Sequence, residues 1–117
     1  MRNCILCNST YNIESHHIIH RSSAKSLIKC KINLIDLCHN CHDFLHHDKN
    51  GHALDIQLKS DFEEKLNLLF DREYFTREEI KKTLGISDRA VYSLCKLLES
   101  HKGLFSRNDI INRCMGR

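Results

Sequence analysis

The sequence predicts an α+β protein in three stretches: a small mixed unit stapled by zinc over residues 1–55, a connecting amphipathic helix at 56–73, and a compact all-α unit over 74–117. Three observations predict it. Two Cys-x2-Cys pairs lie in the first fifty residues, histidines crowd a strand-like stretch between them and a helix-like stretch that begins within the second, and the C-terminal part repeats its apolar residues at helical spacing.

The first unit needs the staple. A core below about 60 residues is marginal without a metal or disulfide. The chain has 117 residues and seven cysteines, an odd number, with no apolar N-terminal run resembling a secretion signal or membrane span. The expectation is a protein of a reducing compartment, the cytoplasm. Cys4-x2-Cys7 repeats the spacing of Cys38-x2-Cys41, and four thiolates in two such knuckles make the closed tetrahedral sphere of a structural zinc. Cys30, Cys95 and Cys114 have no such partner and read as small buried apolar side chains.

With the cysteines satisfied, the histidines are free for other work. In CHNCHDFLHHD a helix beginning near His39 puts His42 and His46 four apart on one face, able to chelate one ion. His47 falls about 100° further around and faces solvent or phosphate. Upstream, ESHHIIHRSS reads as a strand, on which neighbouring residues point to opposite faces. His16 can therefore join His42 and His46 while His17 reaches elsewhere, and Glu14 shares the His16 face.

Leu58, Phe62, Leu66, Leu69 and Phe70 mark an amphipathic helix through 57–73. Beyond it, Thr76 and Glu79 form a capping box for a helix with Ile80 and Leu84 inward, Gly85 suits its terminating turn, and Ser87 caps a second helix with Val91, Leu94 and Leu98 inward. Helix, turn and helix together resemble a helix-turn-helix of the winged type, with HKGLFSRND as the wing.

Net charge is +3, but unevenly spread. Residues 1–50 carry six Lys/Arg against four Asp/Glu, 51–73 three against six, and 74–117 nine against five. Two basic ends around an acidic middle fit polyanion-facing modules on a solvated connector.

Taken in order, His16-His17, Asn33, His42 and His46, bracketed by the two knuckles, resemble the HNH endonuclease family with its ββα-metal fold, in the zinc-stapled branch. The order is similar to colicin-type nuclease domains, the knuckles to phage and restriction HNH proteins. The resemblance covers roughly residues 4–50. It implies a catalytic divalent metal on His16, His42 and His46, His17 as general base, and Asn33 either orienting His17 or pinning its loop. The implied products are 5′-phosphate and 3′-hydroxyl ends. Many members carry Pro where this chain has His20, which leaves the loop geometry open, and many phage members carry Asp at the first ligand position. Three imidazoles favour Zn²⁺, Ni²⁺ or Mn²⁺, and Mg²⁺ serves if substrate phosphate supplies hard ligands.

The partner implied is double-stranded DNA. Arg21, Lys25, Lys29 and Lys31, in a loop without acids, are expected to neutralise phosphates, and Arg89, Tyr92 and Lys96 to face DNA from the second helix. A nuclease cassette followed by a DNA-binding tail resembles intron-encoded or free-standing phage homing endonucleases, acting as a nicking monomer or a homodimer. The competing expectations are a non-catalytic zinc-containing DNA-binding regulator and a non-specific or restriction-type nuclease.

Overall fold

Chain order in the first fifty residues is strand, strand, helix. The computed structural model describes residues 2–117. β1 (Ile13–His17) pairs antiparallel with β2 (Leu34–Cys38), His16 opposite Ile35 and His17 opposite Leu34. β2 runs without a loop into α1 (His39–His47), whose N-cap is Cys38. The first knuckle is tied to this sheet by the Ile5 amide, which donates to the Asp36 carbonyl at 2.9 Å. Both knuckles are thus set by backbone, one by a loop and one by a helix start.

The expected strand through Ile18 and Ile19 stops at His17. Ile18 and Ile19 are buried and turn the chain into two short 3₁₀ turns, Lys25–Leu27 and Lys31–Asn33. The amphipathic helix also differs from expectation: α2 spans Lys49–Leu69, beginning one residue after α1 ends its cap. Asp48 ends α1 and caps α2, its Oδ1 accepting from the Asn50 amide at 2.8 Å. The close α1–α2 approach occurs at Gly51, where a Cβ would run into the Phe44 carbonyl and lie 2.8 Å from Leu45 Cα. Phe70 is buried beyond the helix end, and Leu69 is on its exposed side.

β3 (Tyr74–Thr76) pairs antiparallel with β4 (Leu104–Ser106). Between them lie α3 (Arg77–Leu84) and α4 (Asp88–Lys96). The Thr76 hydroxyl accepts from the Glu79 amide at 3.2 Å and the Glu79 carboxylate accepts from the Thr76 amide at 2.9 Å, satisfying amides at the start of α3 that lack intrahelical partners. Gly85, at φ 65°, takes the left-handed conformation that ends α3, and Ser87 caps α4 through the Ala90 amide at 3.1 Å. The stretch expected to be all wing is only partly extended. From Arg107 it becomes α5 (Arg107–Cys114), capped by Ser106; Ile110, Ile111 and Cys114 are buried, and that face makes the segment helical.

The described residues therefore form a small α+β protein with five α-helices and two small antiparallel sheets. Its apolar residues gather in two clusters of unequal size. The smaller one, Cys4, Leu37, Cys38 and Leu45, lies between β2 and α1. Burying a full aliphatic side chain is worth about 1.5–3 kcal/mol, so four residues of this kind cannot hold their segment against chain entropy unaided. The larger cluster joins Ile18, Ile19, Leu27 and Cys30 of the 18–30 loop to Phe62, Leu66 and Phe70 and to the inward faces of α3, α4 and α5. Cys30 Sγ donates to the Leu84 carbonyl at 3.2 Å across it.

Candidate metal centre and its surroundings

Among the described residues two clusters of metal-ligating atoms form, and they differ in kind. Cys4, Cys7, Cys38 and Cys41 bring their sulfurs within 4.8 Å of one another, and His16, His42 and His46 do the same with one ring nitrogen each.

The cysteine cluster is closed. Cys7 and Cys38 Sγ are 3.6 Å apart, near the edge of about 3.8 Å that a tetrahedron of Zn–S bonds of about 2.3 Å requires. No disulfide joins the cysteines. Burial opposes ionisation of Cys4, but hydrogen bonds from the backbone of Cys38, Cys7 and Leu6 outweigh it and bring the thiol to about 6. Burial and then the neighbouring sulfurs push Cys41 the other way, upward. One thiolate forms readily and the next resists, as expected of sulfurs that need a cation between them. Four such donors can hold a structural metal ion such as zinc.

The histidine cluster is built by β1 and α1. His16 is 3% exposed, while His42 is half-buried and His46 lies at the open side. His16 Nδ1 and His42 Nε2 face each other at 3.2 Å, matching the separation of about 3.3 Å for two imidazoles bound tetrahedrally at about 2.0–2.1 Å. The ring centroids of His46 lie 5.4 Å and 4.7 Å from those of His16 and His42. Burial, then the facing His42 and His46, lower the His16 pKa to about 4, so it is a neutral donor at ordinary pH.

The outer nitrogens show how the rings are held. His42 Nδ1–H donates to Glu14 Oε1 at 2.8 Å, leaving Nε2 to face His16. The His42 hydrogen bond, then His39, hold the Glu14 carboxyl below its usual range. His16 Nε2 is buried with no hydrogen-bond partner, and its nearest carboxylate oxygen, Asp55 Oδ1, is 4.0 Å away. Asp55 is in turn paired with Lys59 Nζ at 2.9 Å. Carboxylates behind imidazoles are the usual means of fixing the tautomer of a metal ligand. The donor chemistry and this orphaned nitrogen, which becomes an N–H once Nδ1 is used, both fit a cation among the three rings.

Sequence reasoning placed Glu14 near the cluster but missed Asp55. Nothing in its spacing marks it, because only the α1–α2 turn at Asp48 and Gly51 brings it over His16. His20 also approaches, its ring 6.4 Å from that of His46.

His17 takes the other face of β1. Its Nε2–H donates to the Ile28 carbonyl at 2.9 Å, which leaves Nδ1 as the basic nitrogen. Asn33 makes no side-chain hydrogen bond to His17. It is fully buried, its Oδ1 accepting from the Ile19 amide at 2.8 Å and its Nδ2 donating to the carbonyls of Ile19 at 3.2 Å and Leu27 at 3.3 Å. These bonds tie the backbone of the loop that follows His17, the loop that also carries Ile28, to Asn33.

The cations expected at DNA, Arg21, Lys25, Lys29, Lys31, Arg89 and Lys96, are all exposed, as is Tyr92. Lys96 Nζ stands 4.8 Å and Arg77 Cζ 6.0 Å from the Tyr92 ring centroid. Among the described residues no helix is long and apolar enough to cross a membrane. Comparison of the chain with protein-family models, curated proteins and solved structures gives no match.

Proposed function

We propose that the protein is a metal-dependent DNA endonuclease of the HNH type, hydrolysing phosphodiester bonds to 5′-phosphate and 3′-hydroxyl ends. One observation carries the reading. Three imidazoles from β1 and α1 converge on one point, while the adjacent His17, on the opposite face of the same strand, is held with Nδ1 free. A packing histidine has no need of either arrangement, and a closed structural metal site has no use for the second.

His16 Nδ1, His42 Nε2 and a nitrogen of His46 would hold a divalent ion, Zn²⁺, Ni²⁺, Mn²⁺ or Mg²⁺, with coordination left open on the exposed His46 side. When bound, the ion supplies Lewis-acid stabilisation of charge on the phosphate and leaving oxygen. His17 Nδ1 takes the proton of the attacking water, and the Ile28 carbonyl, accepting from Nε2–H, orients the ring and stabilises the imidazolium that forms. Asn33 pins the same loop one residue earlier, its Nδ2 donating to the Leu27 carbonyl. The four-cysteine ion is structural zinc, compensating for the small cluster beneath it.

In this reading α3, the Gly85 turn and α4, flanked in the chain by the two strands of the β3–β4 ribbon, serve as a winged helix-turn-helix that selects the target, as in phage or intron homing endonucleases. The test mixes purified protein with plasmid DNA in Mg²⁺, Mn²⁺ and Ni²⁺, comparing wild type with His17→Ala. Loss of a general base costs about 10²–10⁴ in rate, so the variant should bind DNA but cut at least a hundredfold more slowly. An intact plasmid with every metal, together with equal DNA binding, would favour a non-catalytic DNA-binding regulator.

A further inference from the structure

The 18–30 loop and α4 come from distant parts of the chain, yet they pack together and leave a cleft of about 420 Å³ between them. One wall carries Lys25, Ile28 and Lys29; the other carries Ile86, Ser87 and Arg89. No acidic side chain lines it. The nearby Asp88 is instead engaged with Lys81 Nζ at 2.8 Å.

We propose that this cleft binds the sugar-phosphate backbone of duplex DNA, as a continuous track from the proposed cutting site to α4. The inference rests on the endonuclease reading for where the track begins, and on charge and shape for what occupies it. Three features point to phosphate backbone. Cations stand on both walls, so a bound strand is neutralised from two sides. The Ser87 hydroxyl and the apolar Ile28 and Ile86 suit a sugar-phosphate chain better than an isolated small anion. Finally, Ile28 links the two sites: its carbonyl accepts from His17 and the same residue lines the cleft, so the cleft begins one residue away from the proposed base.

The shared core has a consequence for the geometry of cutting. Ile19, Leu27 and Cys30 are buried against the helices of the C-terminal half, so loop and α4 move as one body. The cut would lie at a fixed, short distance from the bases that α4 meets, with no flexible tether between them.

The experiment uses the full zinc-loaded chain and a 30-base-pair duplex, with binding read by fluorescence anisotropy over a series of salt concentrations. Each phosphate neutralised contributes about 0.9 to the slope of log K against log salt. Lys29→Ala and Arg89→Ala, one from each wall, should each reduce the slope by about 0.9 and together by about 2. Lys65→Ala/Lys82→Ala, which removes two exposed cations elsewhere, should leave it unchanged, and thermal unfolding checks that all variants fold. The proposal is overturned if the Lys29/Arg89 pair keeps the wild-type slope, if only one wall contributes, or if wild type binds no duplex. Plasmid cleavage is scored separately. Reduced slopes with an uncut plasmid would sink the nuclease reading and leave the cleft, whereas cutting with unchanged slopes would do the reverse.

Discussion

His42 donates its Nδ1 proton to Glu14 Oε1 at 2.8 Å, and its other nitrogen faces His16 Nδ1 at 3.2 Å. The tautomer of one proposed ligand is thus set by a strand residue on its outer side. His16 has the matching need, with Nε2 buried and Asp55 the nearest acid. Removing such outer partners typically weakens metal binding 10–100-fold. Glu14→Gln should fall in that range for the histidine-bound ion, and Asp55→Asn, at its longer distance, should lose about tenfold. Competition with a chromophoric chelator, scored separately for the cysteine-bound zinc, reads both; unchanged affinity in both variants refutes this role for the carboxylates.

Asn33 is expected to matter through structure. Asn33→Ala leaves the Ile19 amide and two carbonyls without their buried partner. Unsatisfied buried groups cost about 1–3 kcal/mol each, and with partial relaxation a loss of about 2–3 kcal/mol is expected in urea unfolding. A change below about 0.5 kcal/mol, the usual range for uninvolved surface positions, would show that the amide does not hold the loop.

In metal-free buffer, stability should depend on pH through His16. Burial, then the facing His42 and His46, lowers the folded-state pKa to about 4 from the ordinary imidazole value of 6.5. Between those values the unfolded chain binds more protons than the folded one, so stability falls as pH drops from 6.5 towards 4 and is steady again below. His16→Gln should flatten this limb relative to wild type, the comparison cancelling contributions common to both. Equal pH slopes for the two proteins would contradict the assignment.

Gly51 sets how closely α1 and α2 approach. In Gly51→Ala the methyl group meets the backbone of Phe44 and Leu45, which cannot rotate away. Overpacking of this kind costs about 1–3 kcal/mol, and the displaced α2 carries Asp55. The thermal midpoint should fall; an unchanged midpoint would mean that the helices separate freely.

Loss of a single sulfur should be felt well beyond it. The cluster around Leu37 and Leu45 is too small to stand alone, so Cys38→Ser should abolish zinc binding by the four sulfurs and loosen the β2–α1 segment around them, while the larger cluster that joins the 18–30 loop to α3, α4 and α5 keeps its packing. Metal analysis with amide exchange tests this: zinc retained at wild-type affinity would exclude the four-sulfur site.

Much of this protein was legible in its sequence wherever the signal is local. The knuckle spacing, the four-residue interval from His42 to His46, the Thr76–Glu79 box and the Gly85 turn depend on helical period or on a single turn, so the residue order alone determines them. The helix after the motif was misjudged at its start because Asp48 both ends α1 and begins α2, and α5 was missed because the apolar face that makes it a helix is short. Tertiary structure alone decided that Asp55 stands over His16, that the Ile28 carbonyl selects which nitrogen of His17 is basic, and that Lys29 and Arg89 face one cleft. Each of those relations joins residues far apart in the chain through a shared core, and packing of that kind leaves no periodicity in the sequence to read.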